Sequence, residues 1–149
     1  MRALRIAFVV ILLVLGVILP PSDVSAGTPP PYVVIVNPTN TESVLDRTFV
    51  EDAFLKKVTR WKNDDVIHPV DLGPESPVRR RFTEDVLKRS VAAVRIYWQQ
   101  IIFSGRDIPP PELDTDDEVV KYVLKHPGSI GYISGTASTG GAKVVTVSQ

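Results

Sequence analysis

The chain contains no cysteine, no methionine after the first residue, and only two histidines, His68 and His126. Without cysteine there is no disulfide staple, no thiol nucleophile, no thiolate metal ligand and no lipid anchor on sulfur, so stability must come from a packed core. The two histidines are far apart in sequence, and neither has a partner at metal-ligand spacing. His126 stands just before Pro127-Gly128 at a helix end, where a cation suits the dipole, so it reads as a capping residue. No serine lies near a histidine in a triad context, and no nucleophile elbow is present. The acidic pair Asp116-Asp117 falls at a predicted helix start and reads as capping. These absences point away from an enzyme and from a bound metal or cofactor. A one-sided charge is missing too: 17 Lys and Arg balance 17 Asp and Glu. Bulk charge therefore gives no drive toward nucleic acid, and Trp61, Tyr97 and Trp98 do not ask for base stacking.

Long apolar runs are scarce except at the start. Arg2 and Arg5 precede an apolar stretch from Ile6 to Leu19, followed by the small-residue site Val24-Ser25-Ala26. This is the pattern of a Sec-type signal peptide over residues 1–26, with export to the periplasm and no membrane insertion after cleavage. The apolar run is shorter than the ~20 residues that a full span needs. Residues 27–149 then form one domain.

Within that domain, Gly27 to Pro31 is a proline-rich spacer. Tyr32 to Val36 is a continuous apolar run, read as a buried central strand of a parallel or mixed sheet. It empties into Asn37-Pro38-Thr39-Asn40-Thr41. This is either an ordinary turn or, as in open α/β sheets, a ligand-facing loop with Thr39 and Asn40 as contacts. Thr48-x-x-Glu51 is a capping-box pattern and opens a helix to about Arg60, with Val50, Phe54, Val58 and Trp61 inward. Val66 to Val70 is a short strand, kept to an edge or made irregular by Pro69.

The organising stretch is Asp71 to Phe82. Ser76 and Pro77 are a helix-start pair, and Val78, Phe82 and Val86 recur at helical spacing up to about Lys88. Arg79, Arg80 and Arg81 crowd a helix start where the dipole is already positive, an arrangement that calls for an anion nearby. That anion is either an internal carboxylate, Glu75 or Asp71, or a ligand held by Ser76, the free N–H groups and Arg79. Arg80 and Arg81 read as solvated. A further helix follows Ser90, with Val91, Val94, Trp98, Ile101 and Ile102 on one face and Ser104-Gly105 closing it. Ile108 to Pro111 is an extended connector. Thr115-x-x-Glu118 caps a helix with Val119, Val120, Val123 and Leu124 inside, ended by Lys125-His126-Pro127-Gly128. Ser129 to Ile133 is the third strand, with Gly131 allowing close approach, and Ala137 to Gly141 reads as a hairpin turn into Lys143 to Val147.

Several of these elements together carry a resemblance. They are the apolar strand with Val36-Asn37-Pro38, Ala53-Phe54-Leu55-Lys56-Lys57 with Trp61, and Glu75-Ser76-Pro77-Val78-Arg79-x-x-Phe82. Val70-Asp71, Tyr97-Trp98, Phe103-Ser104-Gly105-Arg106 with Pro109-Pro110, and Pro127-Gly128-Ser129-Ile130-Gly131-Tyr132 complete the set. The chain resembles the substrate-binding-protein-like domain of phosphate ABC transporters, a type 2 periplasmic binding protein fold, in its short single-domain form. The resemblance implies a single-lobe α/β domain, a small mixed sheet flanked by helices. It also implies an exported, phosphate-transport-related module recognising phosphate or a similar oxyanion through Ser76 and Arg79. Full-length relatives use a Ser-Gly-Thr turn and close two lobes on the anion. Here Pro77 and Val78 replace glycine and threonine, and the length suits mainly one lobe. The implied site is therefore weak, or completed by a protein partner or a second copy. The alternative is an interaction or scaffold protein that keeps the fold without a ligand.

Overall fold

The computed structural model describes residues 27–149. The expected signal peptide over residues 1–26 lies outside the described residues.

The first strand, β1 (Tyr32–Val36), sits in the middle of a five-stranded mixed sheet. Its last three residues are buried on both faces, which is why the sequence there is unbroken Val and Ile. Its two neighbours come from the end of the chain. These are β6 (Ser129–Ser134) and β7 (Lys143–Ser148), both antiparallel to β1. The segment from Ala137 to Gly141 is thus no hairpin turn, because it carries the chain across β1 from one neighbour to the other. The edges are short. β2 (Val44–Asp46) runs parallel to β7, and β3 (His68–Pro69) runs parallel to β6. Pro69 sits at an edge, as its missing donor requires.

Four helices flank the sheet. α1 (Arg47–Phe54) is shorter than the sequence pattern suggests, and Asp46 rather than Thr48 caps it, its carboxylate accepting from the N–H groups of Thr48 and Phe49. The helix closes at Leu55, and Lys56 then takes a positive φ of 52°. Val58 and Trp61 consequently reach the core from a loop, where the Trp61 indole N–H donates to the carbonyl of Gly128 at 2.8 Å. α2 (Pro77–Val86) starts as expected, with Ser76 accepting from the N–H of Arg79 and Pro77 at the first helical position. Arg47 closes its other end by donating to the Val86 carbonyl at 2.6 Å.

α3 (Val91–Phe103) is capped by Ser90 and packs against α2. Only Val94 and Trp98 of its apolar face are fully buried, and Ile102 and Leu124, both expected inside, are exposed. α4 (Asp116–Lys125) carries the capping box in full: Thr115 accepts from the Glu118 N–H, and Glu118 accepts from that of Thr115. His126 forms its C-cap, with Nδ1 2.8 Å from the Tyr122 carbonyl. A second, two-stranded sheet joins β4 (Asp71–Leu72) to β5 (Glu112–Leu113) in parallel.

The pleat of β6 divides the core into two layers. Tyr132 faces α1 and α2, stacking on Phe82 with centroids 3.8 Å apart, while Phe54 closes the cluster at 4.9 Å from Phe82. Gly131, on the opposite face, lets α4 lie directly on the strand. A methyl there would sit 2.8 Å from Val70 Cγ1 and 2.9 Å from Val119 Cγ1. Gly131→Ala is accordingly expected to destabilise the fold by about 1–3 kcal/mol through overpacking. Denaturant titration measures it, and an unchanged midpoint would contradict the close approach of α4.

Candidate functional site

The Ser76 helix start is held in place by a buried ionic cluster. Asp71, at the start of β4, is 7% exposed, and Arg79, on the first turn of α2, is 5% exposed. The guanidinium is heavily committed. One terminal nitrogen donates to the Leu72 carbonyl and to the Glu112 carboxylate, the latter at 2.6 Å, and the other lies 3.3 Å from the Asp71 carboxylate. From the opposite side, the Tyr132 hydroxyl donates to Asp71 and accepts from the N–H of Leu72. Arg79 thus ties α2 to β4 and β5, and Tyr132 ties the same corner to the main sheet. Of the internal anions weighed from sequence, Asp71 takes the role, and Glu75 makes no ion pair among the described residues. Glu112 gave no signal in the sequence, because it follows a run of prolines and is brought in only by the β4–β5 pairing.

Burial decides the protonation of this cluster. It pushes the Asp71 carboxyl up to about 6, outweighing the Arg79 guanidinium and the Tyr132 hydrogen bond, which pull it down. The Tyr132 hydroxyl is pushed far above its ordinary range by burial and by the neighbouring carboxylate. Burial works against the charge on Arg79, but Asp71 and Glu112 outweigh it and hold the guanidinium protonated.

The free donors at the helix start are few. Ser76 Oγ is used as an acceptor, so its O–H is available to donate, and Pro77 has no N–H. The N–H of Arg80 already serves the Ser76 carbonyl, leaving that of Val78 as the open first-turn amide. Arg79 Nε is buried without a hydrogen-bond partner among the described residues.

This corner opens onto a cavity of about 490 Å³ between α2 and α3. Arg79, Arg80 and Glu84 line it from α2, and Val91, Arg95, Trp98 and Ile102 from α3. Arg80 and Arg95 are exposed and make no ion pair among the described residues. Arg95 carried no motif and escaped sequence reasoning.

Thr39 and Asn40 lie elsewhere. β1 is antiparallel to β6 and β3 is parallel to it, so the chain leaves β1 and β3 in opposite directions. The Thr39 hydroxyl and N–H both donate to the Asn37 side chain, which in turn caps α4 through the Val123 carbonyl. Asn40 accepts from the Glu42 N–H and lines a different cavity, beside Trp61 and Lys62. The structure does not bring this pair together with Ser76 and Arg79, and among the described residues no cluster suited to a metal ion is present.

No protein-family model matches the chain, and no curated protein matches it. Solved structures do. The chain is similar to an ABC-type phosphate transport receptor from Vibrio cholerae, with TM-score 0.57, 17% identity, and coverage of 76% of this chain and 44% of that one. It is similar as well to a putative phosphate ABC transporter substrate-binding protein with bound phosphate from Clostridium perfringens, with TM-score 0.57, 21% identity, and coverage of 78% and 43%. PstS from Borrelia burgdorferi gives a TM-score of 0.58 at 13% identity, with coverage of 79% and 47%. The described residues therefore share the fold of part of these structures, as a single α/β lobe. The chain spans less than half the length of each of these structures.

The raised Asp71 value has a consequence for stability. An unfolded aspartate titrates near 3.9, so between about pH 4 and 6 the folded chain holds more protons than the unfolded one. Stability from this group is then complete below about pH 4 and falls as pH rises through 6, by on the order of 2–3 kcal/mol. Urea unfolding across that range is expected to show this component in the wild type and not in Asp71→Asn. Parallel pH profiles for the two would contradict the assignment.

Proposed function

We propose that the protein is a non-catalytic solute-binding module that takes phosphate or a similar oxyanion at the start of α2. The observation that carries this reading is the α2–α3 cavity itself, lined by Arg79 from the first turn of α2 and by Arg80 and Arg95, which make no ion pair among the described residues. In this reading Arg80 and Arg95 supply charge from the cavity wall, and the Ser76 hydroxyl and the Val78 N–H, which do not line the cavity, are the free donors of the same helix start. Arg79 holds the floor with its Nε hydrogen still uncommitted. The likeness to phosphate transport receptors supports the class of ligand. Thr39 and Asn40 are not assigned to this site.

With few free donors on this lobe, the anion stays partly hydrated, and affinity in the millimolar range, about −4 kcal/mol, is expected. A second copy or a protein partner across the open cavity would raise it. Export to the periplasm, by the signal peptide read from residues 1–26, places the module where such solutes are captured.

A second reading is favoured by the internal pairing of Arg79 with Asp71 and Glu112, which leaves that guanidinium needing no external anion. It is a scaffold that keeps the fold and binds protein only. Calorimetric titration of inorganic phosphate into the purified protein separates the two. Saturable binding, weakened at least about tenfold in the Arg80→Ala/Arg95→Ala double variant, is the expected result. No binding of phosphate, sulfate or any organic phosphate by folded protein would leave the scaffold reading.

A further inference from the structure

We infer that the α2–α3 cavity takes a small organic anion, an apolar or aromatic body carrying one phosphate-like head, in preference to bare inorganic phosphate. The inference rests on the oxyanion reading above and narrows its ligand class.

Size is the first reason. A cavity of about 490 Å³ lies in the range of small-molecule sites, typically ~300–1,000 Å³, whereas an inorganic anion would leave most of it empty. The lining is the second. The α3 side presents Val91, Ala92, Trp98 and Ile102, and Pro109 adds to this wall. Such a surface does nothing for a hydrated anion and gains from covering an organic body.

Electrostatics supplies the third reason. Among the described residues, the cations free to meet a ligand here are Arg80 and Arg95, and Glu75 and Glu84, which line the same cavity, are unpaired as well. Arg79 is already neutralised by Asp71 and Glu112. The cavity therefore has no net positive field to draw in a bare dianion. It offers pairwise contacts to a head held near Arg80 and Arg95, with affinity coming from burial of the attached body.

One unsatisfied donor points to an occupant. Arg79 is 5% exposed and lines the cavity, and among the described residues its Nε is buried with no hydrogen-bond partner. Buried donors are ordinarily paired, and an acceptor-rich head is the chemistry that would pair this one.

The test uses the full chain and three probes, inorganic phosphate, phenyl phosphate and benzyl alcohol, read by calorimetry and by Trp fluorescence. Phenyl phosphate is expected to bind at least about tenfold more tightly than inorganic phosphate, and benzyl alcohol more weakly than phenyl phosphate. Two variants at exposed positions of α3 locate the site with little risk to the core. Ala92→Trp fills the apolar side and is expected to abolish the advantage of phenyl phosphate while leaving phosphate binding in place. Arg95→Ala is expected to weaken phenyl phosphate at least about tenfold and benzyl alcohol not at all. Equal affinity for phosphate and phenyl phosphate, or indifference of both to Ala92→Trp, would overturn this inference and leave the oxyanion reading standing. Silence of all three probes, or equal binding of benzyl alcohol and phenyl phosphate, would overturn both.

Discussion

A guanidinium cannot be carried into a protein interior without oxygen atoms around it, and that requirement shapes one whole corner of this lobe. Arg79 is buried at the start of α2, so the chain must bring a carbonyl and two carboxylates to it from Leu72, Asp71 and Glu112. Meeting that demand fixes the short β4–β5 pairing, which would be too small to hold on its own. Asp71 in turn engages the hydroxyl of Tyr132, whose ring stacks on Phe82, and so the polar corner and the aromatic core become one unit. The helix start that faces the cavity is thus positioned from beneath by charge neutralisation and from behind by ring packing.

This arrangement divides the arginine run by function. Arg79 turns inward as a counter-ion, Arg81 pairs with Asp85 one turn along its own helix, and Arg80 is left facing the cavity without a partner among the described residues. The sequence places three like charges where a helix dipole resists them. The structure resolves the conflict by giving one residue internal anions and another a surface carboxylate. The third is the residue with chemistry to spare, and on α3 it is joined by Arg95.

Much of the fold was legible in local chemistry. The Ser76-Pro77 start, the Thr115–Glu118 capping box and the apolar run of β1 all depend on neighbours in sequence, and each stands where the pattern put it; at Gly131 the missing side chain alone announced a close approach, though its partners, Val70 and Val119, come from elsewhere. What escaped depends on partners far along the chain. β7 pairs with β1 rather than with β6, so the Gly140-Gly141 segment, good turn chemistry in itself, bridges over a strand instead of closing a hairpin. Thr39 and Asn40 follow a strand whose neighbours are both antiparallel, so the rule that places ligands at the carboxyl ends of parallel strands does not apply to their loop. Glu112 and Arg95 carry no local signature at all. One comes to the site through strand pairing, and the other through the packing of α3 on α2.

The measurement that bears most directly on this account is a double-mutant cycle between Asp71 and Arg79, made by equilibrium unfolding at pH 7.5, where Asp71 is ionised. If Arg79 is the internal counter-ion, Arg79→Met destabilises the protein by leaving the Asp71 carboxylate buried and unpaired, and adding Asp71→Asn recovers part of that loss, so the double variant is more stable than the two single effects added together, with a coupling of about 2 kcal/mol or more. Additivity within about 0.5 kcal/mol would contradict the account and return Arg79 to the list of cations free to meet a ligand.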